Sequence, residues 1–151
     1  MGVVMTLRTG HVGLNVTDLN RSLAFYRDVL DFDLLVEGKE DDRRFALMGV
    51  GGTLALALWQ QADGAYDKTR PGLHHLALQA ESVEEIRSYE AALREYGVEF
   101  AHEGVVAHAE GADSGGIFFF DPDGIRLEIS VSSGVQGAPA PHESAPTCGF
   151  F

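Results

Sequence analysis

Residues 9–18 read TGHVGLNVTD, and 64 residues further on residues 73–82 read LHHLALQAES. In this alignment His11 falls on His75, Leu14 on Leu78, Val16 on Ala80 and Asp18 on Ser82. The likeness continues downstream, where Leu19 meets Val83, Phe25 meets Tyr89, Val29 meets Leu93 and Phe32 meets Tyr96. Self-similarity at a fixed offset marks one supersecondary unit used twice.

In each copy a short alternating strand leads through a cap residue into an amphipathic helix. Ser82 followed by Glu85 is a capping box, Val83, Ile86 and Leu93 keep a helical period, and Gly97 stands where a left-handed C-terminal cap belongs. The first helix is expected from Thr17 or Asp18 to about Leu30, with Leu19, Leu23, Tyr26 and Leu30 on one stripe. Three strand-like runs follow each helix: LLVEG, RRFALM and TLALALW, then VEFAHEGVV, GIFFFD and IRLEISV. The Gly49-Val50-Gly51-Gly52 run reads as a hairpin turn. The fold class is therefore α+β, with two βαβββ modules at 1–60 and 73–131. Residues 61–72 form a linker, and 132–151 a Gly/Ala/Pro-rich tail in which Phe150 and Phe151 read as a docking anchor.

Period-2 alternation sorts these strands into two faces. Val12, Leu14 and Val16 face a helix, leaving His11, Gly13 and Asn15 together. Leu76 and Leu78 leave His75, Ala77 and Gln79; Leu54, Leu56 and Leu58 leave Thr53, Ala55, Ala57 and Trp59. Ile125, Leu127, Ile129 and Val131 leave Arg126, Glu128 and Ser130. The second faces thus combine small side chains with His11, His75, Arg126 and Glu128. Buried carboxylate and imidazole groups need compensation, and a divalent cation compensates both. Each residue alone has a blander reading: His11 as a hydrogen-bonded structural residue, Glu128 as the ion-pair partner of Arg126. Recurrence of His in both copies, with a carboxylate on the last strand, favours the metal.

Composition removes other classes. Eleven Lys and Arg against 23 Asp and Glu give a net charge of −12, which repels phosphate backbones and anionic membranes, so neither nucleic acid nor membrane is an expected partner. No apolar run approaches the roughly 20 residues of a bilayer span. The first residues do not read as a secretory signal, and Cys148 is the single cysteine, so a reducing cytoplasm is the expected setting. An intrachain disulfide and a thiolate zinc cluster are both excluded.

His11, FYRDVLDF (25–32), His75 in HHLAL and the run DPDGIRLEIS (121–130) resemble the vicinal oxygen chelate superfamily, which includes glyoxalase, bleomycin resistance and extradiol dioxygenase proteins. The resemblance covers about residues 8–131. It implies a glyoxalase-like fold, with paired βαβββ modules forming a cupped mixed sheet around a divalent metal (Fe, Mn, Zn or Ni). Carried over, the ligands are His11, His75 and Glu128, with His75 preferred over His74 because it leads directly into Leu-Ala-Leu on the small face. Some members take a fourth ligand from the last strand of the first module. Ala55, four residues after Gly51 as Glu128 is after Gly124, cannot serve, nor can Ala57, so open coordination positions are expected.

The resemblance implies an enzyme acting on a small substrate that chelates the metal through vicinal oxygens, by isomerase, lyase, epimerase or epoxide-opening chemistry. The alternative is a drug- or metabolite-sequestering protein of the bleomycin-resistance type. Ring-cleaving dioxygenase activity is disfavoured, because Phe118 occupies the place where those enzymes usually carry a Tyr. His108, in a Gly-rich loop, is a candidate for proton transfer, and Arg126, Trp59 and Phe118 are candidates for the substrate wall. Arg126 has two open readings, an anion holder or a salt bridge to Glu128. Arg44 reads as a solvated edge charge, and Cys148 has no basic sequence neighbour to activate it. A homodimer is expected, with His11 joining His75 and Glu128 within the chain or from a partner.

Overall fold

The parallel pairing of Val12–Val16 with Thr53–Gln60 and that of Leu76–Gln79 with Arg126–Val131 are two instances of one arrangement. The computed structural model describes residues 2–149, which divide between Gly64 and Ala65 into two compact units. In the first, β1 (Val12–Val16), β2 (Asp33–Glu40), β3 (Arg43–Val50) and β4 (Thr53–Gln60) form a sheet of order β1-β4-β3-β2. In the second, β5 (Leu76–Gln79), β6 (Val106–Ala107), β7 (Gly115–Phe120) and β8 (Arg126–Val131) repeat that order as β5-β8-β7-β6. In both sheets the first pair is parallel and the others are antiparallel. The α+β class and the paired βαβββ modules hold.

The helices follow from their caps. Helix α2 (Val83–Tyr96) starts where Ser82 Oγ accepts from Glu85 N–H at 3.2 Å and ends at Gly97, whose φ of 94° needs no Cβ. Ile86 and Leu93 are buried on the side that packs against β7 and β8. Helix α1 (Leu19–Leu23) is capped by Asp18, whose carboxylate accepts from Arg21 N–H at 3.2 Å. It does not continue to Leu30 as an α-helix. Residues Ala24–Val29 form a π-helical stretch, in which Leu30 N–H donates to Phe25 O at 3.2 Å. The wider turn lets the adjacent rings of Phe25 and Tyr26, edge to face with centroids 5.0 Å apart, both be fully buried. A strict 3.6-residue stripe would have buried Tyr26 and turned its neighbour away.

Two turns set the last strand of each unit. Gly51 and Gly52, with φ of 58° and 81°, connect the paired residues Val50 and Thr53, as a tight hairpin requires. At the corresponding place in the second unit, Asp121 Oδ1 accepts from Asp123 N–H and Ile125 N–H, each at 2.9 Å, while Gly124 takes φ 87°. This buried Asx turn fixes where β8 starts, and hence where Glu128 lies.

Two further expectations change. The run VEFAHEGVV is not a strand over its length. Gly104 at φ 64° breaks it, leaving a Phe100–Phe119 bridge, main-chain bonds from Ala101 N–H to Phe118 O (2.8 Å) and from Phe120 N–H to Glu99 O (3.0 Å), and the two-residue β6. The Gly/Ala/Pro-rich segment after Ser132 reads by composition as a tail, yet it folds onto the second unit. Val135 and Thr147 are buried, Ala107 N–H donates to Pro139 O at 2.8 Å, and Thr147 N–H donates to His108 O at 2.9 Å. Phe150 and Phe151 lie outside the described residues. No helix among the described residues is long and apolar enough to cross a membrane.

Candidate functional site

The second unit collects most of the candidate chemistry on one face of its sheet. Parallel register sets Glu128 beside Ala77, and antiparallel register sets it beside Phe118. The carboxylate is 3% exposed, and each of its oxygens faces an imidazole. His75, which immediately precedes β5, holds Nε2 3.8 Å from Glu128 Oε2. His108, just beyond β6, hydrogen-bonds through Nε2 to Glu128 Oε1 and through Nδ1 to Ser114 Oγ at 3.0 Å. The Gly-rich loop is pinned by His108 N–H donating to Ser114 O at 2.9 Å, so His108 reaches Glu128 from a closed loop.

Burial holds the His75 pKa below its ordinary value, against the opposing pull of the Glu128 charge; the charges of His74 and Arg126 lower it further. A neutral imidazole is the form that offers a lone pair to a metal. Imidazole nitrogen and carboxylate oxygen suit Fe, Mn, Zn or Ni better than Ca or Mg, and the buried carboxylate is the kind of group a cation compensates. The donor set therefore fits a divalent transition metal. Among the described residues no three His, Cys, Asp or Glu side chains of the single chain form a group able to hold an ion unaided. The described residues of the second unit bring together His75, His108 and the Glu128 carboxylate.

His11 lies in the first unit, exposed, immediately before β1. There the register refines the sequence alignment. Gly13 pairs with Ala57 as Ala77 pairs with Glu128, so the residue of β4 matching Glu128 is Ala57, two positions beyond Ala55. A one-residue bulge between β3 and β4, where pairing jumps from Gly49–Leu54 to Met48–Leu56, lies between the turn and this position, so counting residues from the turn does not give the register. Both residues are alanines, so β4 brings no further ligand. Trp59 stacks on Phe45 at 4.8 Å and lines a cavity of about 240 Å³ with Gly13, Leu14, Asn15 and Gln61.

Arg126 and Phe118 are more enclosed than a substrate wall requires. Phe118 is fully buried, and the Arg126 guanidinium lies 5.4 Å from its ring centroid. Arg126 is 1% exposed and donates from Nη1 to Cys148 O (3.3 Å) and from Nη2 to Thr147 O (3.5 Å). Burial lowers its pKa, opposed by the Cys148 and Glu128 charges. Cys148, without a basic neighbour in sequence, thus has one in space. Arg44 bonds Asn20 Oδ1 (2.9 Å) and Glu37 Oε1 (3.0 Å) at the surface, as an edge charge should.

His102 escaped the sequence reading. Its ring lies edge-on to Phe118 with centroids 5.4 Å apart, and 6.2 Å from His142, and its buried Nε2 has no hydrogen-bond partner. Burial first, then the Arg126 charge, lowers its pKa. Its placement depends on the break at Gly104 and on the folded-back segment, neither of which leaves a periodic signal.

The comparisons with known proteins agree with this architecture. The trivalent organoarsenical cleaving enzyme of Bacillus sp. (strain MD1) is 28% identical over 142 residues, covering 94% of this chain and 83% of that protein. The metallothiol transferase FosB of Staphylococcus epidermidis is 30% identical over 128 residues, covering 82% and 80%. The crystal structure of a glyoxylase/bleomycin resistance protein/dioxygenase domain from Frankia sp. EAN1pec superposes with a TM-score of 0.70 at 29% identity, covering 85% of this chain and 93% of that one. A family model matches residues 8–129, from before β1 to within β8, and by that match the chain belongs to the Glyoxalase/Bleomycin resistance protein/Dioxygenase superfamily.

Proposed function

We propose that the chain is a divalent-metal-dependent enzyme acting on a small molecule that presents two adjacent oxygens, with His11, His75 and Glu128 as its protein ligands. The observation that carries this reading is the Glu128 carboxylate, buried on β8 with an imidazole against each oxygen. Such a carboxylate is costly unless a cation accompanies it, and nitrogen and oxygen donors of this kind accompany transition metals. The bound ion supplies Lewis acidity that stabilises negative charge on a substrate oxygen.

The chain's own residues do the rest. His75 offers Nε2 as a donor, and Ala57, the β4 residue that matches Glu128, carries no ligating atom. His108, held at Nδ1 by Ser114, accepts or returns a proton at Nε2 beside the site. Phe118 and Arg126 keep water from the carboxylate, and Trp59 floors the small-residue face of the first module. This core serves isomerase, lyase, epimerase and epoxide-opening reactions alike, and the named relatives show that cleavage and thiol transfer belong to neighbours of this chain. The working form is a homodimer in the cytoplasm, with His11 joining His75 and Glu128 from the same chain or from the second copy.

Metal analysis of the purified protein tests the reading. Stoichiometric Fe, Mn, Zn or Ni that is lost in Glu128→Ala supports it. A metal-free protein that still binds an aromatic ligand overturns it in favour of a sequestering role. Activity screening of metal-reconstituted protein with 1,2-dicarbonyl–thiol adducts, catechols and epoxides would then select the reaction, and sedimentation of the active form would test the dimer.

A further inference from the structure

We propose that His74 is a positioning residue for His75, holding it in the tautomer whose Nε2 carries the lone pair; this rests on the reading of His75 as a metal ligand. His74 Nδ1 and His75 Nδ1 are 2.8 Å apart, with their rings nearly perpendicular at 78°. Two imidazole nitrogens at that distance share one proton, so one is the N–H donor and the other accepts.

The surroundings of His75 decide which. Its Nε2 is 3.8 Å from Glu128 Oε2, beyond hydrogen-bond reach, and Glu128 Oε1 is engaged by His108. No bond at Nε2 therefore asks that nitrogen to keep the proton. Neutral His75 carries it on Nδ1 and donates it to His74 Nδ1, while His74 carries its own on Nε2. The His75 lone pair is then on the nitrogen nearer Glu128, where a shared ion would take it. Metal-ligating imidazoles are commonly anchored this way through their second nitrogen, usually by a carboxylate or a carbonyl. Here the acceptor is the ring of the preceding residue. The adjacent His-His pair, which in sequence looks like a choice between two ligands, becomes one ligand and its anchor.

Long-range nitrogen–proton NMR of the histidine rings in the metal-free protein reads the tautomer directly. The expected result is His75 protonated at Nδ1 in the unaltered protein. It shifts toward Nε2 protonation in His74→Phe and returns in His74→Asn, whose side-chain oxygen can accept the same bond. Metal affinity, measured by chelator competition, should fall about 10- to 100-fold in His74→Phe and recover in His74→Asn. His74 is exposed, so neither change threatens the fold. A His75 ring protonated at Nε2 in the unaltered protein, or a tautomer unmoved by His74→Phe, overturns the role of His74 even with metal binding intact. The expected tautomers in a protein that binds no metal overturn the ligand reading instead, and the positioning role with it.

Discussion

Strands β4 and β8 occupy the same place in two copies of one chassis and carry opposite chemistry. Each is the parallel partner of its unit's first strand, and each buries a row of aliphatic side chains. On the other row β4 presents Thr53, Ala55, Ala57 and Trp59, whereas β8 presents Arg126, Glu128 and Ser130. The cover differs too. Over β4 the described residues leave a cavity of about 240 Å³ beside Trp59, while the β8 charges are enclosed, Arg126 meeting the main chain of Thr147 and Cys148. Duplication therefore supplies a scaffold whose stability does not depend on the polar row. That row is then free to carry charge in one copy, provided imidazoles and a folded-back segment accompany it.

If the scaffold is equivalent in both copies, Leu56→Ala and Leu127→Ala should cost alike, about 2–5 kcal/mol each, because both are buried and sit at matching registers. Urea denaturation measures this, and a loss confined to one of them would break the equivalence. The polar rows should respond unequally. Glu128→Gln is expected to weaken metal binding by roughly 100-fold or more, whereas Ala57→Ser should leave it within about twofold, both read by chelator competition.

The cover supplies the next test. Thr147 Oγ1 donates to Ala107 O within the buried interior, so Thr147→Val should cost roughly 1–2 kcal/mol and speed thiol labelling of Cys148, the single cysteine. Unchanged labelling would show that this bond does not hold the segment down. The smallest effect is on pH dependence. Burial lowers the pKa of His75 and His102 in the folded protein, so the unfolded chain binds their protons more readily. Stability from this source is complete above about pH 6.5, the ordinary histidine value, and declines as pH falls below it toward the lowered values. The melting temperature of metal-free protein should drop between pH 7.5 and 5.5, and His102→Asn should flatten part of that slope.

Much of the scaffold was legible because its signals are local. The alternation around His11 and His75, the Ser82–Glu85 box, Gly97 and the Asp121–Gly124 turn each act within a few residues, and each appears where its chemistry requires. The π-helical stretch escaped because two adjacent buried rings, Phe25 and Tyr26, outweigh helical periodicity. Counting residues from the turn aligns Ala55 with Glu128, whereas the pairing with the first strand of each unit matches Ala57 to it. His102 and the neighbour of Cys148 were invisible because both depend on a segment of weak local preference being held by distant partners.

The amino-acid order by itself determined that one strand–helix unit occurs twice, where both helices start and where the second one stops, since capping, dihedral preference and side-chain alternation are properties of short stretches. Only the tertiary structure decided that Glu128 meets His75 and His108, and that the main chain of Thr147 and Cys148 meets Arg126. Strand register and loop closure are set by contacts between residues far apart in the chain, which no local pattern records.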